Sequence, residues 1–99
     1  MQEISTNELM SLLAKEKINL IDVRTEVEYA GGHIPEAKNF PLENIAKFND
    51  DKDQKYYLIC RSSNRSQQAA SLLELKGYKN VVNVKGGMLD WPGKTISEL

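Results

Sequence analysis

The sequence holds a single cysteine and a single histidine among its 99 residues, and it has no long apolar run. One cysteine excludes an internal disulfide and a Cys-x-x-Cys redox pair, and one histidine leaves too few ligands for an ordinary zinc site. The lack of an apolar stretch of about 20 residues excludes a membrane-spanning helix. We therefore expect chemistry that uses no metal and no cofactor.

Neither sign of charge is in excess, since 13 Lys and Arg stand against 14 Asp and Glu and leave a net charge of −1. Nucleic acids and anionic membranes attract proteins with a basic excess, so the composition disfavours both as partners. The first five residues lack the basic-then-apolar pattern of a secretory signal, and we expect a cytoplasmic protein. The length predicts one domain over residues 1–99.

Hydrophobic spacing predicts helices and strands that alternate along the chain. A capping box formed by Ser5 and Glu8 predicts a helix up to about Lys15, and a later helix is predicted to end at Gly77. Apolar runs predict strands at residues 19–23, 37–40, 55–59 and 81–84, and shorter helical segments at 26–30, 42–46 and 88–91. This alternation is typical of an α/β domain with a mostly parallel sheet.

The only cysteine, Cys60, directly follows the clearest strand and precedes a helix. Open α/β sheets bind ligands at this carboxyl edge, and the N–H groups that begin a helix attract anions. Arg61 and Arg65 add two positive charges, which favour the nucleophilic thiolate form of a cysteine. We therefore predict that Cys60 is a catalytic nucleophile and that its loop binds the substrate through Arg61, Ser62, Ser63, Asn64, Arg65 and Ser66.

Three segments resemble the signatures of the rhodanese-like family and follow one another in the family's order. They are DVR at 22–24 with EYAGGHIP at 28–35, CRSSNRS at 60–66, and VKGGMLDW at 84–91. The resemblance covers nearly the whole chain. It implies a three-layer sandwich in which a five-stranded, mostly parallel sheet carries helices on both faces. It also implies that Cys60 accepts a sulfane sulfur, becomes a persulfide and passes the outer sulfur to a nucleophile.

The resemblance also implies supporting roles for residues away from the thiol. Asp22 and Arg24 stand at the end of a strand and are predicted to support the fold around the site, and His33 is predicted to belong to a structural turn. Two positions depart from the family, because Ser63 and Glu36 stand where glycine is common. A positive φ at position 63 would suit glycine better than serine, so this departure bears on the shape of the loop.

The function implied by the resemblance is that of a sulfurtransferase. The donor is expected to be a small anion such as thiosulfate or a protein persulfide, and the acceptor to be cyanide, a small thiol or a partner protein. No second cysteine is present to attack the persulfide, so the acceptor must come from outside the chain.

Two alternatives stay open at this point. One is a non-catalytic module that binds a partner or carries sulfur, and the other is a phosphatase or arsenate reductase on the same fold. Phosphatases that resemble this fold carry one more residue between the cysteine and the arginine than the four that separate Cys60 from Arg65. The shorter loop favours sulfur transfer over phosphate chemistry.

Overall fold

Five strands alternate with helical segments along the chain, which the computed structural model describes from residue 1 to residue 99. The predicted α/β class is confirmed. In chain order the elements are β1 (Gln2–Ile4), α1 (Thr6–Lys15), β2 (Asn19–Asp22), α2 (Glu26–Gly31), β3 (Lys38–Asn39), a 3₁₀ helix (Leu42–Lys47), β4 (Lys55–Ile59), α3 (Asn64–Leu75), β5 (Asn80–Val84) and α4 (Gly87–Asp90).

The strands form one sheet in the order β1-β5-β4-β2-β3, and every neighbouring pair is parallel. The central strand β4 aligns Tyr57 with Leu20 of β2 on one side and with Val82 of β5 on the other. Parallel strands end at the same edge of a sheet, so the segments that follow β2, β4 and β5 meet there. This edge brings together the three segments that carry the family signatures.

Helices cover both faces of the sheet, as the resemblance implied. Alternate residues of β4 point to opposite faces, and Tyr56 and Leu58 belong to a cluster built with α3 and the 3₁₀ helix. Tyr57 and Ile59 belong to a second cluster, which α1 closes through Leu9. The alternation continues past the strand, so the Cys60 side chain lies with the first cluster, beneath α3.

Reciprocal capping boxes fix where the first two α-helices begin. The Ser5 hydroxyl accepts from the Glu8 N–H at 3.1 Å, and the Glu8 carboxylate accepts from the Ser5 N–H at 3.0 Å, which confirms the predicted start of α1. The same arrangement joins Thr25 to Glu28 and begins α2. Because its carboxylate bonds back to the helix start, Glu28 is held at the edge of the sheet where β2 ends.

The first strand, β1, is the one element that the sequence pattern did not predict. It has three residues, of which Gln2 and Glu3 are exposed, and it lies at the sheet edge with a single neighbour, β5. Such a short edge strand buries too little apolar surface to show an alternating pattern. Its register with β5, in which Glu3 lies opposite Asn83, depends on a contact 80 residues along the chain.

Candidate active site

The thiol of Cys60 lies at the carboxyl end of β4 and is almost completely enclosed, with 1% of the residue exposed. Its Sγ–H donates to the hydroxyl of Ser66, in the first turn of α3, across 3.3 Å. A thiol this enclosed admits a slender reagent such as a single terminal sulfur atom much more easily than a bulky group. The site therefore favours attack on a small, protruding atom.

The loop after Cys60 offers a row of hydrogen-bond donors. The backbone N–H groups of residues 61–66 donate to no other group of the protein. Those of residues 64–66 begin α3, where the first N–H groups have no intrahelical acceptor, and Ser63 does not cap them with its side chain. Unpaired N–H groups at a helix start stabilise negative charge, so this loop can bind an anion or a charged sulfur.

Helix α4 fixes the loop by donating backbone hydrogen bonds to its carbonyl groups. The Met88 N–H donates to the Cys60 carbonyl at 2.8 Å, and the Leu89 N–H donates to the Arg61 carbonyl at 3.0 Å. These bonds turn the loop carbonyls toward α4. The close approach requires Gly87, since a Cβ there would lie 2.4 Å from the Cys60 carbonyl oxygen, and its φ of +57° also favours glycine.

Arg65 does not present a free charge to the loop, because it forms a bidentate ion pair with Glu28. Its two terminal nitrogens lie 2.6 and 2.9 Å from the two carboxylate oxygens, and the pair joins α3 to α2. The hydrogen bond from Arg65 lowers the pKa of Glu28 to about 2, although partial burial opposes the shift. The same bond raises the pKa of Arg65. Arg65 carries the predicted positive charge, but the Glu28 carboxylate balances it within the protein.

Arg61 is the cation of the loop that stays unpartnered. Its side chain is exposed and takes part in no ion pair or hydrogen bond within the protein. Ser62 and Ser63 are half-buried, and Asn64 is exposed at the start of α3. Thus the positive charge free to meet an anion comes from Arg61 and from the loop amides.

The serine at position 63 fits the loop without a left-handed backbone. Its φ is 173°, which is extended backbone that any residue adopts. The expected difficulty of replacing glycine by serine at this position does not arise. The departure at Glu36 lies in an exposed turn before β3, away from the thiol loop.

Asp22 and Arg24 form a buried ion pair at the end of β2, next to β4. The guanidinium nitrogens of Arg24 donate to both carboxylate oxygens of Asp22, the shortest contact being 2.8 Å, and one also donates to the Gly32 carbonyl at 2.7 Å. Asp22 aligns with Ile59, the residue before Cys60. The pair thus ties the end of β2 to the end of α2 beside the thiol, without a direct bond to the sulfur.

His33 pairs with Ile96 in an isolated antiparallel bridge and makes no hydrogen bond to residues 60–66. Its ring stacks on Tyr29 with centroids 3.6 Å apart, and its Nδ1 lies 2.7 Å from the Tyr29 carbonyl oxygen.

No group of three or more His, Cys, Asp and Glu residues is arranged to hold a metal ion. No helix has both the length and the apolar character needed to cross a membrane.

The sequence pattern did not predict two residues of the site, Asn83 and Glu28, the partner of Arg65. Asn83 lies on β5, is fully buried, and accepts from the Ser66 hydroxyl at 2.5 Å. A signal for Asn83 was present, since it is an amide within the run of valines at 81–84. Buried polar groups almost always have a partner, so a polar residue in that strand indicates a hydrogen bond in the core.

The family of the chain follows from comparison with known proteins. Residues 5–94 match the family model of the rhodanese-like domain. The crystal structure of a rhodanese-like domain protein from Staphylococcus aureus has a TM-score of 0.82 and 39% identity, and the match covers 95% of this chain and 93% of that one. The chain belongs to the rhodanese-like family.

Two similar proteins from Bacillus subtilis have names that refer to sulfur chemistry. YtwF, whose name proposes a sulfurtransferase, is 42% identical over 97 residues, which are 95% of this chain and 93% of YtwF. YrkF, whose name proposes a sulfur carrier protein, is 40% identical over 82 residues. Those residues are 81% of this chain but 44% of YrkF, so the chain spans less than half the length of that relative.

Proposed function

We propose that the protein is a sulfurtransferase that moves a sulfane sulfur through a persulfide on Cys60. The observation that carries the proposal is the enclosed thiol of Cys60 at the head of a loop whose N–H groups 61–66 have no acceptor in the protein. The similarity to YtwF supports the same class of reaction. The donor is a small anion such as thiosulfate or the persulfide of another protein.

In the first step the Cys60 thiolate attacks the outer sulfur of thiosulfate. A sulfur–sulfur bond forms on Sγ, the sulfur–sulfur bond of thiosulfate breaks, and sulfite leaves with the electron pair. The loop amides stabilise the negative charge of the persulfide, while exposed Arg61 attracts the anionic donor. Arg65 acts indirectly, because its ion pair with Glu28 fixes the first turn of α3.

In the second step an acceptor from outside the chain attacks the outer sulfur of the persulfide. With cyanide, a carbon–sulfur bond forms, the persulfide bond breaks, and Cys60 leaves as a thiolate with the electron pair. Thiocyanate is released and the protein returns to its starting state, so no external oxidant or reductant is needed. A small thiol or a partner protein would attack the same outer sulfur.

Thiocyanate formation from thiosulfate and cyanide tests the proposal directly. Wild-type protein should form thiocyanate, and mass spectrometry after thiosulfate treatment should show one added sulfur on Cys60. Cys60→Ser, which keeps the size of the side chain, should do neither while its circular dichroism stays unchanged. Turnover that survives in Cys60→Ser, or a wild type that never acquires sulfur, would refute the proposal.

A role as sulfur carrier is the second candidate, and the similarity to YrkF favours it. A carrier forms the same persulfide but delivers it only to a partner protein. Persulfide formation without thiocyanate formation would therefore assign the carrier role. Phosphate chemistry is disfavoured by the enclosed thiol and by the short loop, and we expect no measurable hydrolysis of an aryl phosphate.

A further inference from the structure

A chain of polar groups runs from the thiol to the edge strand β1. Ser66 and Asn83 are both fully buried behind Cys60. The Ser66 hydroxyl lies 3.3 Å from Sγ and 2.5 Å from Asn83 Oδ1. On its other side Asn83 Nδ2 donates to the exposed carboxylate of Glu3 at 3.2 Å. Three hydrogen bonds thus join the buried sulfur to a surface charge.

The direction of each hydrogen bond in this chain follows from the Glu3 carboxylate, which only accepts. Asn83 must therefore turn Nδ2 toward Glu3 and Oδ1 toward Ser66. The Ser66 hydroxyl has one hydrogen, and its two oxygen neighbours, Asn83 Oδ1 and the Ser63 carbonyl, only accept. Its hydrogen is therefore committed to an oxygen, and Ser66 accepts from the Cys60 thiol.

This arrangement suits the neutral thiol and opposes a negatively charged sulfur. The lone pair of the Ser66 oxygen would face the charge of a thiolate or persulfide. The Ser66 hydrogen would therefore have to turn to the sulfur, as a further donor beside the loop amides. The Ser66 oxygen would then face Asn83 Oδ1 at 2.5 Å with no hydrogen between them. Reversal of the Asn83 amide removes the conflict, since Nδ2 can then donate to Ser66.

We propose that Glu3 controls the hydrogen-bond polarity at Cys60 through Asn83, and that the Asn83 amide reverses when the sulfur becomes negatively charged. In the reversed state Oδ1 faces Glu3, whose exposed side chain moves away into water. Glu3 and Asn83 are thereby positioning residues that act through Ser66. The inference rests on the proposed function, in which the thiolate and the persulfide are the working states.

Other charges surround both ends of the chain and must be separated from this effect. Around the thiol they are Arg61, Arg65, Glu28 and the Asp22–Arg24 pair. Around Glu3 an open cleft is lined by Glu8, Lys85 and Asp90. Removal of the Glu3 charge also acts on the sulfur through space, so a second carboxylate of the same cleft serves as the matched control.

The ultraviolet absorbance of the thiolate, followed against pH with the matching Cys60→Ser protein subtracted, measures the ionisation of Cys60. In Glu3→Gln the amide of Asn83 can face either way, and the midpoint should move to lower pH. At a pH below the midpoint, we expect the fraction of thiolate in Glu3→Gln to be about five times that in the wild type. This is the factor in an equilibrium constant that one neutral hydrogen bond of about 1 kcal/mol produces. Glu8→Gln removes a charge from the same cleft without touching Asn83 and should move the midpoint much less.

A double-mutant cycle identifies Asn83 as the connection. In an Asn83→Ala background the Ser66 hydrogen is free to turn to the sulfur, so adding Glu3→Gln should change the midpoint no more than Glu8→Gln does. Equal shifts in Glu3→Gln and Glu8→Gln, or a Glu3→Gln shift that persists without Asn83, would show a through-space effect and overturn the inference.

A direct measurement covers the case in which Asn83→Ala does not fold. The NMR signal of the Asn83 side-chain amide in the wild type should move over the pH range in which Cys60 ionises, and should not do so in Cys60→Ser. A signal that stays constant overturns the inference.

The absorbance assay needs no sulfur donor, so it is independent of the test of function. Normal thiocyanate formation without these shifts refutes the inference alone, and the shifts without any persulfide refute the function alone.

Discussion

Replacement of Glu28 by glutamine removes one charge of the ion pair that joins α2 to α3 at the site. Glutamine keeps the size of the side chain and can still complete the capping box with Thr25, so the change isolates the ion pair. The expected result is a less stable protein at neutral pH and an altered response of stability to acid. The direction and the size both follow from the lowered pKa of Glu28.

The pKa of Glu28 falls from 4.5 to about 2 in the folded protein, chiefly through its hydrogen bond with Arg65. At about 1.4 kcal/mol per pH unit this shift corresponds to about 3 kcal/mol. Both side chains are about one-third exposed, and solvent screening reduces the contribution to about 1–2 kcal/mol. Because the folded pKa lies below the unfolded value, this stability is present in full above about pH 4.5 and is lost as the pH falls through about 2.

Urea unfolding of both proteins at several pH values measures this difference. At about pH 7 the variant should be less stable by about 1–2 kcal/mol, and near pH 2 the two proteins should unfold at nearly the same urea concentration. Glu26→Gln removes a charge from the same first turn without breaking an ion pair and is the control. A gap between wild type and Glu28→Gln that is independent of pH would refute the reasoning.

Three further predictions concern the loop. Gly87→Ala should lower the free energy of unfolding in urea by about 2–4 kcal/mol and slow sulfur transfer, because its Cβ would meet the Cys60 carbonyl. Gly31→Ala is the control and should change neither quantity, since no atom lies within 4 Å of its Cβ. Arg61→Ala should slow reaction with thiosulfate by about threefold to tenfold at low salt, whereas Arg61→Lys, which keeps the charge, should not. An equal loss of rate with an uncharged sulfur donor would contradict the role of Arg61 in attracting the anion. Insertion of one glycine after Ser63 should slow thiocyanate formation by at least about tenfold by displacing the amides from the sulfur, and undiminished transfer would show that the loop length is not critical.

Most elements of this fold could be predicted because their own residues contain the signal. The capping box of Ser5 and Glu8 begins α1, and the apolar run before Cys60 forms the central strand. The strand β1 has no such signal, since its place depends on pairing with β5 and on little burial of its own. Local pattern therefore predicts the elements that bury their own apolar residues, and it misses those that tertiary pairing creates.

The candidate site divides in the same way. The position of Cys60 between a strand and a helix could be predicted from the sequence, as could the row of amides that follows it. The partners from other segments could not, because Glu28 reaches Arg65 across 37 positions and Asn83 reaches Ser66 across 17. The sequence indicates where positive charge lies, and only the fold shows that the charge of Arg65 is already neutralised.

The hydrogen bonds from α4 to the thiol loop affect the order in which the site forms during folding. The donors that fix the Cys60 and Arg61 carbonyls come from Met88 and Leu89, so the loop cannot take its final shape while those residues are missing. The strand β5, which lies between β4 and β1, is also made late in the chain. During synthesis from the N-terminus, Cys60 is therefore translated well before the residues that fix its loop. Under the proposed function, rapid reaction of Cys60 therefore requires that the segment carrying Met88 and Leu89 has folded.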